Sequence, residues 1–362
     1  MSPDVGGVSF RLSAHQGSHG RPDRASQPQS ECDEMVEVRP VLRLNMSGCG
    51  QGPDRTLEAD RYQAALDMAE YADTHGFAIV NVEEHHDVEI GWLSSPLPMA
   101  AAIVARTRRV QVRGSAVLVT LYDPLRLAEE MALLDVISRG RFVLVAGQGY
   151  RPSEYHMMDR DFAARGATTD FVIETLLKAW GGQPFDYRGQ TVRISPRPYT
   201  DPHPPLHIGG MSKVAARRAA RFGLPFFPAQ PHAEIEALYL DELKRLGKTG
   251  HIVVQREMQL WFIDENPDAA WAELGPYFLK ESQQYSSWRR TGVERSFSNT
   301  SQSVDELRAT GVYAILTPDQ ALERINTATK DYMPIVQPLT GGLPLDRAWR
   351  CMELFGELMR KL

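Results

Sequence analysis

Cysteine is scarce: Cys32, Cys49 and Cys351 are the only three in 362 residues. An odd number at wide spacing gives neither a disulfide framework nor a zinc signature. A reduced, cytoplasmic setting is the expectation that fits. Long apolar runs are missing as well. None approaches the ~20 residues of a membrane helix, and the segment from Val5 to Leu12 is too short and too glycine-broken for a secretion signal. Positive charge is in deficit, with 40 Lys and Arg against 46 Asp and Glu and a formal net charge of −6. General binding to nucleic acid or to anionic membranes is therefore disfavoured. The local basic spots, Arg106 to Arg109 and Arg217-Arg218, read as solvated helix faces. Two phosphate motifs are also absent. No GxGxxG follows the first strand, which argues against a dinucleotide fold, and no GxxxxGK[ST] occurs, so nucleoside-triphosphate chemistry is not indicated.

What remains is an ordinary globular composition, 43% hydrophobic and 24% charged. Residues 1 to about 37 are rich in Ser, Gly, Pro, Gln and Arg and read as a disordered extension. From Val38 onward strand-like and helix-like segments alternate. Val38–Asn45 is a first strand. Leu57–His75 has helical periodicity and stops at Gly76. Further strands are expected at 77–82, 110–121, 141–146, 206–208, 224–229, 252–263 and 332–337. Asp123-Pro124 and Ser212 have the grammar of helix starts. Phe185 to Ile194 resembles a hairpin turning at Arg188-Gly189. About eight βα repeats in 38–362, with an excursion at about 264–317, favour an α/β fold of the (β/α)8 TIM-barrel type. A doubly wound open sheet is the alternative.

The chemistry-bearing stretch is Phe77-Ala-Ile-Val-Asn-Val-Glu-Glu-His-His-Asp87. Side chains alternate along a strand, so Asn81, Glu83 and His85 share one face and Val82, Glu84 and His86 the other. Adjacent histidines on opposite faces make a poor metal pair, and no metal is expected. His85 at a barrel mouth is a candidate general acid or base, its other nitrogen held by a buried carboxylate. A purely structural histidine fits the same spacing. Two glycine turns fall at other strand ends. Gly147-Gln148-Gly149-Tyr150 would let backbone approach a ligand. Gly209-Gly210-Met211-Ser212 sits at a strand-to-helix junction, where free amides and the helix dipole suit a phosphate. An ordinary capped turn is the plainer reading. Cys49, just after the first strand, is either site-lining or a small packing residue.

Several strings carry a family resemblance: GFAIVNVEEHH at 76–86, SAVLVTLYDPLRLAEEMALLDVISRGRF at 115–142, GQGYRPSEY at 147–155, PLHIGGMSKVAARRAARFGLP at 205–225 and GLPLDRAWRCMELFGELMRKL at 342–362. The chain resembles the bacterial luciferase-like flavin monooxygenases from Val38 to its end. That resemblance implies a barrel binding reduced FMN (FMNH2) from a separate reductase. Molecular oxygen would add to the flavin, and the resulting peroxyflavin would oxygenate an aldehyde, ketone or other small organic substrate. It assigns His85 the catalytic part, with Glu84 in support. It maps phosphate contacts to Gly209, Gly210, Met211 and Ser212, flavin-site backbone to Gln148, Gly149 and Tyr150, and a non-prolyl cis peptide to Ala116–Val117. It also implies pairing of chains as homodimer or heterodimer. Where the luciferases have an acid before the phosphate-loop serine this chain has Met211, and where they have an arginine after the fourth strand it has Gln148; light emission is not implied. The excursion's Tyr277, Phe278, Tyr285 and Trp288 either line a pocket or pack helices. The competing readings are a deazaflavin-dependent hydride-transfer enzyme on the same barrel, whose members usually show an SDH-like triplet in place of EHH; a non-catalytic flavin-binding barrel; and, more distantly, a metal-dependent hydrolase.

Overall fold

The computed structural model describes residues 8–10, 36–50, 54–255, 258–288, 299–328 and 332–362. Nine parallel strands form one ladder: β1 (Val41–Leu44), β2 (Ile79–Val82), β3 (Gln111–Leu118), β4 (Phe142–Gly147), β5 (Leu206–Gly209), β6 (Phe226–Phe227), β7 (Leu260–Ile263), β8 (Tyr313–Leu316) and β9 (Ile335–Val336). Their order is β6-β5-β4-β3-β2-β1-β9-β7-β8. Strands that follow one another in sequence lie side by side from β1 to β6, each return made by a helix, as βαβ units require. Beyond β6 the segment from His251 continues round. Phe226 N donates to His251 O at 3.0 Å and Val253 N to Phe226 O at 2.9 Å. The same chain then enters β7, at the far end of the ladder, between β9 and β8. The result is a TIM-barrel-like α/β fold whose ladder is not closed between its end strands β6 and β8.

The apolar, β-branched outer face of the strands packs under the helices. Val80, Val82, Val112 and Leu144 are buried with Ala65, Met68, Ile103 and Met131 in one large core. At ~25 cal/mol per Å², such burial is the main force that holds helices on the sheet. Helix starts follow their caps. Asp54 accepts from Thr56 N and Leu57 N to open α1 (Arg55–Ala72). Asp123 does the same for α3 (Pro124–Ser138), which follows α2 (Pro96–Arg106). After α4 (Pro152–Met157) and α5 (Arg165–Trp180), Ser212 Oγ accepts from Ala215 N to open α6 (Lys213–Phe222). Each such cap contributes about 1 kcal/mol. The hairpin forms at 185–187 and 190–192, with positive φ at both Arg188 (53°) and Gly189 (78°), the geometry of the expected tight turn.

Four expectations need adjusting. The strand expected at 224–229 is only Phe226–Phe227, because Leu224 and Pro225 still complete the exit from α6. The strand expected over 252–263 is a bridge at Ile252 and then Leu260–Ile263, since the start of this run pairs with the edge strand β6 and its end pairs between β9 and β8. The excursion is more ordered than its irregular pattern suggests. After α7 (Ala233–Leu246) and β7, it holds α8 (Pro267–Ser287), α9 (Val304–Thr310) and β8, which adds to the sheet beside β7 and leads into α10 (Pro318–Asn326). Within the N-terminal extension, Val8–Phe10 pairs antiparallel with Val36–Val38. Most of that extension, Cys32 included, lies outside the described residues. A closing helix, α11 (Leu345–Met359), packs against α1 and β7.

Candidate active site

A cavity of about 360 Å³ opens at the C-terminal ends of the strands. Every glycine-turn residue singled out above lines it: Gln148, Gly149, Tyr150, Gly209, Gly210, Met211 and Ser212, together with His85, Glu84 and Ala116. Val117 does not. It is fully buried in the core, against Gly114. The non-prolyl cis bond is Ser115–Ala116, one bond earlier than the resemblance implies. The ladder between β3 and β4 slips at this point, with Ser115 opposite Val145 and Val117 opposite Ala146. That slip turns Ser115 and Ala116 toward the cavity and Val117 away from it.

His85 is held from behind. Its Nδ1 lies 3.0 Å from Glu154 Oε1. Glu154 is fully buried, on the single turn of α4, and its Oε1 also accepts from His86 N at 3.2 Å and Arg151 Nη1 at 3.2 Å. Burial pushes the Glu154 carboxyl up, but the His85 hydrogen bond, the His85 and Arg151 charges and the His86 amide outweigh it and hold it below the usual range. An ionised Glu154 accepts only, so His85 Nδ1 carries the proton and Nε2 is left to act on a ligand. Glu84 serves the other histidine. Its Oε1 is 2.9 Å from His86 Nε2 and accepts from Tyr122 OH at 3.0 Å, while Oε2 accepts from Leu118 N at 2.6 Å. It thereby ties the turn after β2 to the end of β3. The two histidines lie in the turn after β2 and take separate carboxylates, and among the described residues no group of three metal-ligating side chains is assembled.

Glu83, unassigned from sequence, is gripped on both oxygens by Arg43 Nε and Nη2. Arg43, Asn81 and Arg113 stand at one register level on β1, β2 and β3 and line the cavity floor. At the opposite wall the α6 N-terminus meets Arg218. This arginine is only 7% exposed, so it is no solvated helix residue; its neighbour Arg217 is the exposed one. Arg218 Nε bonds Asp170, Nη2 donates to Gly166 O at 3.2 Å, and the side chain lines the cavity. Gly210 has φ 144°, and a Cβ there would meet Ala215 Cβ at 2.8 Å. Aromatic rings close the mouth over His85: Trp288 at 4.6 Å between centroids, Trp92 at 5.7 Å and Tyr150 at 5.8 Å. Tyr285 lines the cavity, while Phe278 is buried in the core. Cys49 is buried too, and burial pushes its thiol up to about 12, as expected for a packing residue.

Glu154, Arg151, Arg43, Asn81, Arg113 and Arg218 were not singled out from sequence. The arginines within β1 and β3 were visible as charges in the middle of apolar strands, which is the signal that identifies an interior polar layer.

Residues 46–332 match the family described as luciferase-like monooxygenase. The chain belongs to that family. Among curated members, the 4-hydroxyprotoasukamycin monooxygenase of Streptomyces nodosus subsp. asukaensis is 30% identical over 202 residues, 52% of this chain and 53% of that protein. The chain spans about half the length of the curated relatives it matches. Two solved structures show the luciferase-like fold. One is the oxygenating constituent of 3,6-diketocamphane monooxygenase from Pseudomonas putida, in complex with FMN. It is 15% identical, has a TM-score of 0.65 and covers 89% of this chain and 97% of that one. The other is an F420-dependent secondary alcohol dehydrogenase, 14% identical, with a TM-score of 0.59 and 89% and 98% coverage.

Proposed function

We propose that this chain is the oxygenase component of a two-component monooxygenase, using reduced FMN from a separate flavin reductase and molecular oxygen to oxygenate a small organic substrate. One observation carries the reading: a single cavity joins an anion cradle at the α6 N-terminus to a buried histidine whose Nδ1 is fixed by a carboxylate. The residues present suit FMN. The amides at 212–214, the Ser212 hydroxyl and the Arg218 guanidinium would hold the phosphate. Gly147, Gly149 and Ala116 border the cavity, and their small size leaves room beside them for a flat ring. The reduced flavin supplies the two electrons that divide oxygen between product and water. The chain's own share is to position, to exclude water and to move a proton. His85 Nε2 accepts or returns that proton, while Glu154 keeps the ring in one tautomer and balances its charge when protonated. Trp92, Tyr150 and Trp288 shield the histidine from bulk water.

The likeness to an F420-dependent dehydrogenase keeps a second reading open, hydride transfer to or from a deazaflavin without oxygen. The Glu84-His85-His86 triplet ranks FMN first. Titration with reduced FMN and with F420, each followed by exposure to oxygen in a stopped-flow spectrometer, separates them. Tight binding of reduced FMN with oxygen-dependent turnover supports the monooxygenase. Binding of F420 alone overturns it, and flavin binding without any oxygenated product from a panel of aldehydes and ketones points to a non-catalytic barrel.

A further inference from the structure

Among the described residues, one cation in the cavity has no carboxylate bonded to it. Arg113 on β3 is 2% exposed and lines the floor. Its Nε donates to Asn81 Oδ1 at 3.0 Å, and its Cζ lies 5.0 Å from the centre of the Phe227 ring. Those two contacts fix the plane of the guanidinium. Among the described residues its Nη groups have no hydrogen-bond partner. Glu83, the acid that favours its charge, is already engaged by Arg43 on both oxygens. Burial pushes Arg113 down to about 9, the charge of Arg39 pushes the same way, and Glu83 only partly offsets them. A buried guanidinium left in this state is unfavourable unless a ligand brings negative charge.

The cavity also has a direction. Its anion cradle is on β5 and α6, and its far wall includes Val41 on β1 and Ile335 on β9, four and five strands away along the ladder. A ligand whose phosphate sits in the cradle has its other end over the strands that carry Arg43, Asn81 and Arg113. We propose that Arg113 is the counter-cation for the anionic reduced form of the flavin ring; this rests on the flavin reading above. Reduction to that form adds two electrons, from the reductase or from dithionite, and one proton on N5. The second proton is not taken up, so one negative charge remains over N1 and the C2 carbonyl, and the Nη donors of Arg113 stabilise it. The oxidised ring, being neutral, gains far less. Arg113 is thus a redox-state selector that favours the incoming reduced cofactor over the oxidised one.

The test is a pair of anaerobic titrations, with FMN and with dithionite-reduced FMN, on the unaltered chain, on Arg113→Met and on Arg113→Lys. The unaltered chain should bind reduced FMN the more tightly; equal affinities overturn the proposal without any variant. Arg113→Met should weaken reduced FMN by about tenfold or more, the size of a lost charge-assisted hydrogen bond, and leave oxidised FMN within about twofold. Arg113→Lys should restore most of the preference. Equal weakening of both redox states, or no change in either, overturns the assignment and makes Arg113 a structural residue or a receptor for a substrate carboxylate. No binding of either form removes the flavin reading itself. Far-ultraviolet circular dichroism establishes that each variant is folded.

Discussion

Removing one positive charge at the α6 end of the cavity is the sharpest probe of cofactor orientation. Arg218→Met keeps the length of the stem and deletes the guanidinium. Little else is disturbed. Asp170 keeps a cation, because Arg221 Nη2 lies 2.7 Å from the same oxygen. Two hydrogen bonds are lost, to Asp170 and to Gly166 O, at a stability cost of about 1–2 kcal/mol. A charged hydrogen bond to a phosphate contributes roughly 1.5–3 kcal/mol. The Kd for FMN should therefore rise by about 10- to 100-fold. Riboflavin, which has the same ring and no phosphate, is the internal control, and its Kd should stay within about threefold. Quenching of flavin fluorescence measures all four affinities, and their ratio isolates the coupling between Arg218 and the phosphate. If riboflavin weakens as much as FMN, Arg218 merely braces α6 against α5. If neither weakens, the phosphate lies elsewhere and the proposed orientation is wrong.

Three other perturbations bear on the site and its surroundings. His85→Ala should bind FMN within about threefold of the parent yet yield on the order of 100-fold less oxygenated product per flavin oxidised, the electrons leaving as peroxide; full coupling would sink the role given to His85. Glu154 has a carboxyl held below its unfolded value, so its contribution to stability is present above about pH 4 and disappears as pH falls through the folded value. Glu154→Gln should thus be less stable near neutrality by about 1–3 kcal/mol, with the difference from the parent shrinking in acid; urea midpoints from pH 8 down to pH 3 test this, and a constant gap refutes it. On α3, Leu133, Val136 and Ile137 are 49%, 38% and 47% exposed along one stripe. If that stripe joins two chains, Leu133→Glu with Ile137→Glu should convert a dimer to a monomer by light scattering, and an unchanged mass rules the stripe out.

The chain's organisation was legible wherever local chemistry and the final structure agree. Asp123-Pro124 and Ser212 announced α3 and α6 because a cap is read over three residues. His85 stood out because an apolar, β-branched run ends there in acids and histidines. Less was legible where a residue's partner is distant in sequence. Glu154 is 69 positions from His85, and nothing within GQGYRPSEY says that its one acid turns inward to meet that histidine. Arg218 and Arg217 are neighbours of one type; helix rotation alone puts one in the cavity and the other in solvent. The segment from Ile252 to Ile263 read as one strand because apolar residues stand at both of its ends, whereas its first part bridges to β6 and its last part forms β7 between β9 and β8. The cis bond, placed by the family resemblance alone, falls one position earlier, beside the slip in the ladder.

Glu281 gives the excursion a meaning beyond its own fold. It lies 2% exposed on α8, about four turns into a helix that ends at the aromatic mouth. Its oxygens accept from Asn45, Ser47, Tyr313 and Gln337, and Gln337 in turn accepts from Arg43. Those partners belong to the loop after β1, to β8 and to the residue after β9. The helix that presents Tyr285 and Trp288 is therefore keyed to the barrel by a buried lock with at least four wards. Transplanting a mouth from a relative, to change what the cavity accepts, is then not an exchange of one surface loop. A graft that brings a foreign residue at 281 strands the donors at 45, 47, 313 and 337, and a workable chimera must carry those four positions across with the helix.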